Sequence, residues 1–265
     1  MRRPYSQIFL KDKNILQKML RHIECPPSLP VLEIGPGEGD LTRVLLDHGF
    51  QVVAVEIDAR MVQRLEETFE SFLQTRQLQL IHADFLRVPW PDLLAHVDQG
   101  EMCVVSNIPY AVTGPILERL VEAARWLPRI YLTVQWEVGQ RIVASPGSKT
   151  YGALSVWVQT VYIPRLLFKI KRTSFWPVPE VDSAFVAWTR RDPPQVPYAE
   201  QPAFFAWVRK LFQFRRKTLR RILRDLGVLS YVEPVLDASI LQKRPEELDI
   251  PTFYRLFRIH ASESR

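Results

Sequence analysis

Asn107-Ile108-Pro109-Tyr110 is the most specific short element in the chain, and its residue types suit one kind of chemistry. The exocyclic amino nitrogen of adenine is a poor nucleophile because its lone pair is delocalised into the ring, so it needs hydrogen-bond acceptors before it needs a base. The Asn107 side-chain oxygen and the Ile108 carbonyl, pointing the same way from a rigid Pro109-containing turn, can hold the two amino hydrogens and aim the lone pair at an electrophile. Asn does this without adding charge. Tyr110 offers a ring on which a base can stack, and a target adenine must leave its own stack to arrive there. The competing reading is a loop in which Pro and Asn merely make a turn.

Upstream, Glu33-Ile34-Gly35-Pro36-Gly37-Glu38-Gly39 places glycines where a strand turns into a helix and a ligand must meet bare backbone. The spacing departs from G-x-G-x-x-G, because Asp40 stands where the third glycine belongs. That argues for close approach of a smaller ligand over a cradled pyrophosphate, with a tight turn and no ligand as the alternative. Glu56, 21 residues after Gly35, is placed to accept hydrogen bonds from a ribose hydroxyl pair. Asp84 suits an adenine amino group, with Ile57 and Phe85 covering the ring faces, or else caps the next turn. Together these residues outline a nucleoside pocket.

To position them, residues 30–192 alternate short apolar runs with amphipathic stretches, the pattern of an α/β fold with a mostly parallel sheet and helices on both faces. Strands are predicted over 31–34, 51–56, 78–82, 102–106 and 130–135, and alternation around Leu166, Phe168 and Ile170 and around Ala184, Val186 and Trp188 predicts two more, seven in all. Helices are predicted over 41–47, 61–72 and 116–126, with Pro115 at the first helical position, and another carries Ile15 to Ile23 behind an arm at 5–12. Pro193, Pro194 and Pro197 read as a linker between a domain over 1–192 and a small all-α domain over 193–265, where 204–224 reads as one helical stretch.

The chain's 265 residues, 47% hydrophobic and 24% charged, exclude wholesale disorder, collagen-like repeats and coiled coil. Cys25 and Cys103 offer neither a disulfide framework nor zinc-ligand spacing, and no metal site is predicted. With no run of 18 apolar residues and no apolar stretch after the basic first residues, a cytoplasmic protein is expected. The net charge of +6 is unevenly spread, since from Pro193 on there are 13 basic and 8 acidic residues. Arg215, Arg216, Lys217, Arg220, Arg221 and Arg224 fall within ten residues free of acid, beside an apolar stripe of Leu211, Phe212, Leu219, Ile222 and Leu223. Like charges at helical spacing repel, which predicts a phosphate partner over a merely solvated face.

In this order, the glycine loop, Glu56, Asp84 and Asn107-Ile108-Pro109-Tyr110 resemble class I S-adenosylmethionine-dependent methyltransferases that modify adenine N6. Further segments narrow the resemblance: Gln7-Ile8-Phe9-Leu10, Gln135-Trp136-Glu137-Val138 with Arg141, Pro146 and Lys149, residues 151–156, Phe175-Trp176-Pro177 through Ser183, and Phe214-Arg215-Arg216-Lys217-Thr218-Leu219. Almost the whole chain is similar to the small-subunit ribosomal RNA adenine dimethyltransferases, which dimethylate two neighbouring adenosines in a hairpin near the 3′ end of that RNA. The resemblance implies that Gln7, Ile8, Leu10 and Gly35 contact the methyl donor, Glu56 its ribose and Asp84 its adenine. It implies that Asn107 touches donor and target alike, and that Tyr110 and Phe175 sandwich the adenine. The family usually has Asn at position 8, where Ile8 offers only its backbone.

For substrate binding, Lys169, Lys171 and Arg172 are expected to join the basic stretch, with the small subunit as partner, no metal and a monomeric protein. Rival readings are a large-subunit adenine methyltransferase of the antibiotic-resistance type, a non-catalytic relative that would lack Asn107 or Glu56, and a nicotinamide oxidoreductase disfavoured by the loop spacing.

Overall fold

The computed structural model describes residues 8–26, 28–97 and 100–263, so Gln7 lies outside the described residues. Contacts divide the chain into two compact units, Met1–Gly139 with Pro164–Arg190, and Gln140–Ile163 with Arg191–Arg265.

The strands run β1 (Phe9–Leu10), β2 (Val31–Ile34), β3 (Val52–Glu56), β4 (Leu78–His82), β5 (Cys103–Asn107), β6 (Arg129–Gln135), β7 (Tyr162–Ile170), β8 (Phe175–Trp176) and β9 (Ser183–Arg190). Seven of them form one sheet in the order β4-β3-β2-β5-β6-β9-β7. Strands β2 to β6 are parallel to one another, and β9 lies antiparallel to β6. Every residue of β2 and β3 is buried, the consequence of covering both sheet faces, which is why these strands read as unbroken apolar runs. The strand order reverses between β2 and β5, and in open sheets of this kind ligands bind beyond the carboxyl ends at that point.

The covering helices are α1 (Lys13–Leu20), α2 (Asp40–Asp47), α3 (Ala59–Thr68), α4 (Glu70–Gln74), α5 (Trp90–Leu94), α6 (Thr113–Glu122) and α7 (Trp136–Ile142). Asp12 caps α1 by accepting from the Asn14 and Ile15 backbone N–H groups. The stretch read as one helix over 61–72 breaks at Phe69, whose ring is buried in the core. Pro115 stands in the first turn of α6 but two positions inside it, where its missing N–H still costs no helical bond.

The expected boundary at 193 needs correction. Helix α8 (Ala153–Val161) packs with the C-terminal helices α9 (Gln201–Phe212), α10 (Leu219–Asp225), α11 (Leu229–Val232), α12 (Ala238–Gln242) and α13 (Ile250–Glu263). An apolar helix must be covered on more than one side, and Val156 of α8 joins Phe204, Trp207, Ile222 and Phe253 in a core of its own. Tyr151 fastens the same segment by donating its hydroxyl to the Leu248 carbonyl at 3.0 Å.

The stretch 204–224 is likewise two helices. Backbone bonds three residues apart close Phe214, Arg215 and Lys217 into turns, and Thr218 is extended, so α10 starts anew at Leu219. The apolar stripe survives the break, because Leu211, Leu219, Ile222 and Leu223 are all fully buried.

Candidate functional site

The carboxyl ends of β2, β3, β4 and β5 open on a cavity of about 390 Å³, within the range of small-molecule sites. Ile8, Leu10, Gly35, Gly37, Glu56, Ile57, Asp84, Phe85, Asn107 and Pro109 all line it, so residues spread over a hundred positions meet where the sheet topology requires. Register accounts for the meeting: Val31 pairs with Val52 and with Cys103, and Asn107 ends β5 level with Thr133.

Gly37 shows how tightly the loop is built. Its φ is +57°, and a Cβ there would stand 2.6 Å from the Phe9 ring, so the position tolerates no side chain. Phe9, which sequence reasoning passed over, thus lies directly on the glycine loop. Lys11 straps the same arm down: its Nζ reaches Glu38 Oε2 and Asp40 Oδ2, both at 2.5 Å, and Arg64 holds the other Glu38 oxygen at 3.0 Å.

The Glu56 carboxylate is buried and oriented by three backbone donors, the N–H groups of Gly37 at 3.0 Å and of Ile57 and Asp58 at 2.9 Å. Asp84 takes the turn-capping role and also stands at the cavity, one oxygen accepting from the Leu86 N–H at 3.0 Å. Phe85 is held rigid from behind by Trp90 edge-on at 6.0 Å and by the Arg119 guanidinium 4.9 Å from its ring centre.

Asn107 carries the most telling arrangement. Its Nδ2 donates to the Ile8 carbonyl at 3.2 Å, which fixes the amide so that Oδ1 faces away, and that oxygen is buried with no hydrogen-bond partner. An unpaired buried acceptor is costly in a folded protein and marks a place prepared for a donor. The Ile8 backbone carbonyl is thus taken up by Asn107. Ile108 anchors the turn with a buried side chain, and the Thr113 hydroxyl donates to the Pro109 carbonyl at 3.2 Å.

Two residues stand differently from expectation. Tyr110 does not line the cavity; it is half-buried, its hydroxyl bonded to that of Ser183, and burial raises its phenol pKa above the ordinary value. Phe175 is enclosed in the hydrophobic core with Leu10, 2% exposed, so in this arrangement it offers no face to a base. The cause is the short antiparallel ribbon of β1 and β8, too brief to leave a periodic trace, which pairs Leu10 with Phe175 and Phe9 with Trp176.

The basic stretch also needs correction. The acids missing from its own ten residues are supplied from beyond them: Arg215 pairs with Glu246 and Arg220 with Glu233, while Lys217 and Arg221 pair with Asp225, the residue just after the stretch. Among the described residues only Arg216 and Arg224 of the six have no carboxylate partner. In the first unit, Lys169 pairs with Asp182 at 2.8 Å, Lys171 and Arg172 are exposed, and the Arg172 N–H donates to Asp182. No helix among the described residues is long and apolar enough to cross a membrane, and no group of His, Cys, Asp and Glu among them is arranged to hold a metal.

Sequence reasoning missed Glu33, although a lone acid inside an apolar strand was a signal. It lines the cavity fully buried, and burial pushes its carboxyl up to about 8, against a bond from the Thr42 hydroxyl at 2.7 Å and with help from Glu56 and Asp40. Between pH 4.5 and 8 the unfolded chain releases this proton while the folded chain keeps it, so stability falls as pH rises through that window. Each tenfold in proton affinity is about 1.4 kcal/mol. Glu33→Gln is therefore expected to match the parent at pH 4.5 and to exceed it at pH 8.5 by roughly 3 kcal/mol or more in urea unfolding; equal curves at pH 8.5 contradict the burial argument.

Fold and site together define a class I S-adenosylmethionine-dependent methyltransferase. The family described as Ribosomal RNA adenine dimethylase matches residues 1–259. A "Ribosomal RNA small subunit methyltransferase A" from Moorella thermoacetica is 40% identical over 266 residues, 97% of this chain and 91% of that protein. The crystal structure of a dimethyladenosine transferase from Plasmodium falciparum shares the fold with a TM-score of 0.78 at 23% identity, over 97% of this chain and 98% of that one. That of the 23S rRNA methyltransferase ErmE gives 0.69 at 28% identity, over 95% and 98%. The chain belongs to the ribosomal RNA adenine dimethylase family.

The residues fit the donor: the bare loop at Gly37, the Glu56 carboxylate and the rigid Phe85 suit its nucleoside half, and Ile8, Phe9 and Leu10 line the same cavity. Exposed ion pairs contribute about 0 to 1 kcal/mol each. Lys11→Ala is thus expected to weaken binding of S-adenosylhomocysteine about threefold to tenfold in calorimetric titration, and the difference should shrink as salt is added.

Proposed function

We propose that this enzyme transfers two methyl groups to the N6 amino group of each of two adjacent adenosines in the 3′-terminal hairpin of small-subunit ribosomal RNA, acting as a monomer on an assembling subunit in the cytoplasm. The single observation that carries the amino-group chemistry is the buried, unpartnered Asn107 Oδ1 fixed by the Ile8 carbonyl. The donor supplies a methyl group on a cationic sulfur. Asn107 Oδ1 and the Ile108 carbonyl take the two amino hydrogens, which directs the nitrogen lone pair outward from the turn and stabilises the positive charge that develops on nitrogen. As the N–CH3 bond forms and the S–CH3 bond breaks, the donor would leave as a neutral thioether and the methylated nitrogen sheds one proton to solvent, so one hydrogen remains after the first transfer and one acceptor loses its partner in the second round.

Tyr110, next to the Asn107-Ile108-Pro109 turn, is the stacking ring of this proposal, while Phe175 keeps its place in the core. The small-subunit target is supported by the Moorella relative, whose name specifies that subunit, and by residues 149–156 and 214–219. The test is transfer of tritiated methyl groups to separated, undermodified subunits. Label in the small subunit, recovered as dimethyladenosine, is expected; label confined to the large subunit, the target in the name of ErmE, overturns the assignment.

For RNA affinity, Arg216 and Arg224 are the cations of the basic stretch not engaged by acids among the described residues. Each phosphate contact steepens the salt dependence of binding by roughly 0.7 to 0.9 in logarithmic slope. Reversing both charges (Arg216→Glu with Arg224→Glu) is expected to flatten that slope by about 1.5 for subunit binding and to leave donor affinity alone. An unchanged slope removes them from the RNA interface.

A further inference from the structure

We propose that Arg119 is the positioning residue for the base of the methyl donor: from helix α6 it holds the loop after β4 in the shape that presents Asp84 and Phe85 to adenine, which rests on the reading of that cavity as the donor site. Asp84, Phe85 and Leu86 are successive residues of this loop, and all three line the cavity.

The loop is folded back on Asp84. The Asp84 side chain accepts from the Leu86 N–H at 3.0 Å, and its backbone carbonyl accepts from the N–H groups of Arg87 at 2.8 Å and Val88 at 3.2 Å. A turn whose N–H groups converge on one residue leaves its later carbonyls to find donors elsewhere. Arg119 supplies them, with Nη1 donating to the Leu86 carbonyl at 2.8 Å and Nη2 to that of Val88. The same guanidinium lies 4.9 Å from the Phe85 ring centre and 5.2 Å from that of Trp90, which meets Phe85 edge-on. One planar cation thus fixes two carbonyls of the loop and the ring that lines the cavity.

Holding a loop in this way is unfavourable in itself, because burial pulls the guanidinium's pKa below its ordinary value and leaves Nε without a hydrogen-bond partner. The place of Arg119 in the fold gives the reason. Helix α6 begins three residues after Tyr110, the Thr113 hydroxyl of its first turn holds the Pro109 carbonyl, and Arg119 extends from the same helix six positions on. The turn that takes the target amino group and the loop that takes the donor's base are therefore tied to one rigid element. That element sets the spacing between the methyl acceptor and the donor, and small errors in such spacing cost much rate.

The test compares the parent with Arg119→Met and Arg119→Lys in calorimetric titration of S-adenosylhomocysteine and of S-inosylhomocysteine, whose base carries an oxo group in place of the 6-amino group. Donor KM and kcat in methyl transfer to undermodified subunits are measured alongside, with the melting temperature. An oxo group set against the Asp84 carboxylate loses a hydrogen bond and adds repulsion, so the parent is expected to prefer the adenine compound by about tenfold to a hundredfold. Arg119→Met keeps the apolar stem and loses both bonds. Its preference is expected to narrow to less than about threefold and its donor KM to rise about tenfold, while kcat at saturating donor stays within about twofold. Arg119→Lys keeps the charge without the fork and is expected to fall between. A preference unchanged in Arg119→Met overturns the proposal even where the melting temperature falls, and if that variant does not fold, Arg119→Lys is read by the same criterion. A parent without any preference refutes instead the placing of the adenine amino group at Asp84; Arg119 is then judged on donor KM, and a KM equal to the parent's in the variants overturns its role.

Discussion

Asn107→Ala is expected to lower the single-turnover rate of methyl transfer at saturating donor by about a hundredfold to a thousandfold, the cost of losing one preset polar group aimed at developing charge. The variant removes both ends of an arrangement seen intact here: Oδ1, buried and unpartnered, and Nδ2, which donates to the Ile8 carbonyl. Subunit binding should largely persist, since this amide is one contact among many to the RNA, and affinity for S-adenosylhomocysteine should change far less than the rate. Asn107→Asp separates the two ends. It keeps an acceptor at the reacting position but sets an oxygen against the Ile8 carbonyl where an N–H stood, so it is expected to be impaired as well, with a twisted side chain as the cause. Methylation retained in Asn107→Ala would falsify the assignment of the acceptor.

The second large effect concerns Glu56. Its carboxylate accepts from three backbone N–H groups, of Gly37, Ile57 and Asp58, and one of these belongs to the glycine loop itself. Glu56→Ala deletes the ribose acceptor and leaves the three donors to water, at up to about 1 to 3 kcal/mol for each that stays buried. Loss of S-adenosylhomocysteine binding by more than about a hundredfold is expected, together with a lowered melting temperature. Glu56→Gln keeps one oxygen for the loop but turns an amino group toward donors, so a loss of about tenfold is expected with a smaller thermal effect. If both variants bind as the parent does, the carboxylate holds the loop and nothing more.

Much of this site was legible in the chain because of how parallel sheets are built. Strands β2 to β6 are covered on both faces and so announce themselves as apolar runs, and a parallel sheet carries all their carboxyl ends to one edge. Gly35, Glu56, Asp84 and Asn107, each at or just beyond such an end, were bound to meet once those runs were read as strands. The apolar stripe from Leu211 to Leu223 was legible for the same reason, since burial imposes a period whether or not the helix is continuous.

What local pattern cannot carry is the choice of partner between distant segments. The acids that pair with Arg215 and Arg220 lie at Glu246 and Glu233, so a stretch that reads as unopposed charge is partly neutralised in space. A two-residue strand has no periodicity to read, yet the pairing of β1 with β8 sends Phe175 inward and Trp176 outward and lays Phe9 on Gly37. Helix α8 joins the C-terminal helices because the apolar surface that covers it is there, more than forty positions away across the prolines taken for a boundary. Period and turn chemistry are properties of neighbours along the chain; ion pairing, helix cover and the inward or outward face of a ribbon depend on which segments come together, and only the folded molecule specifies that.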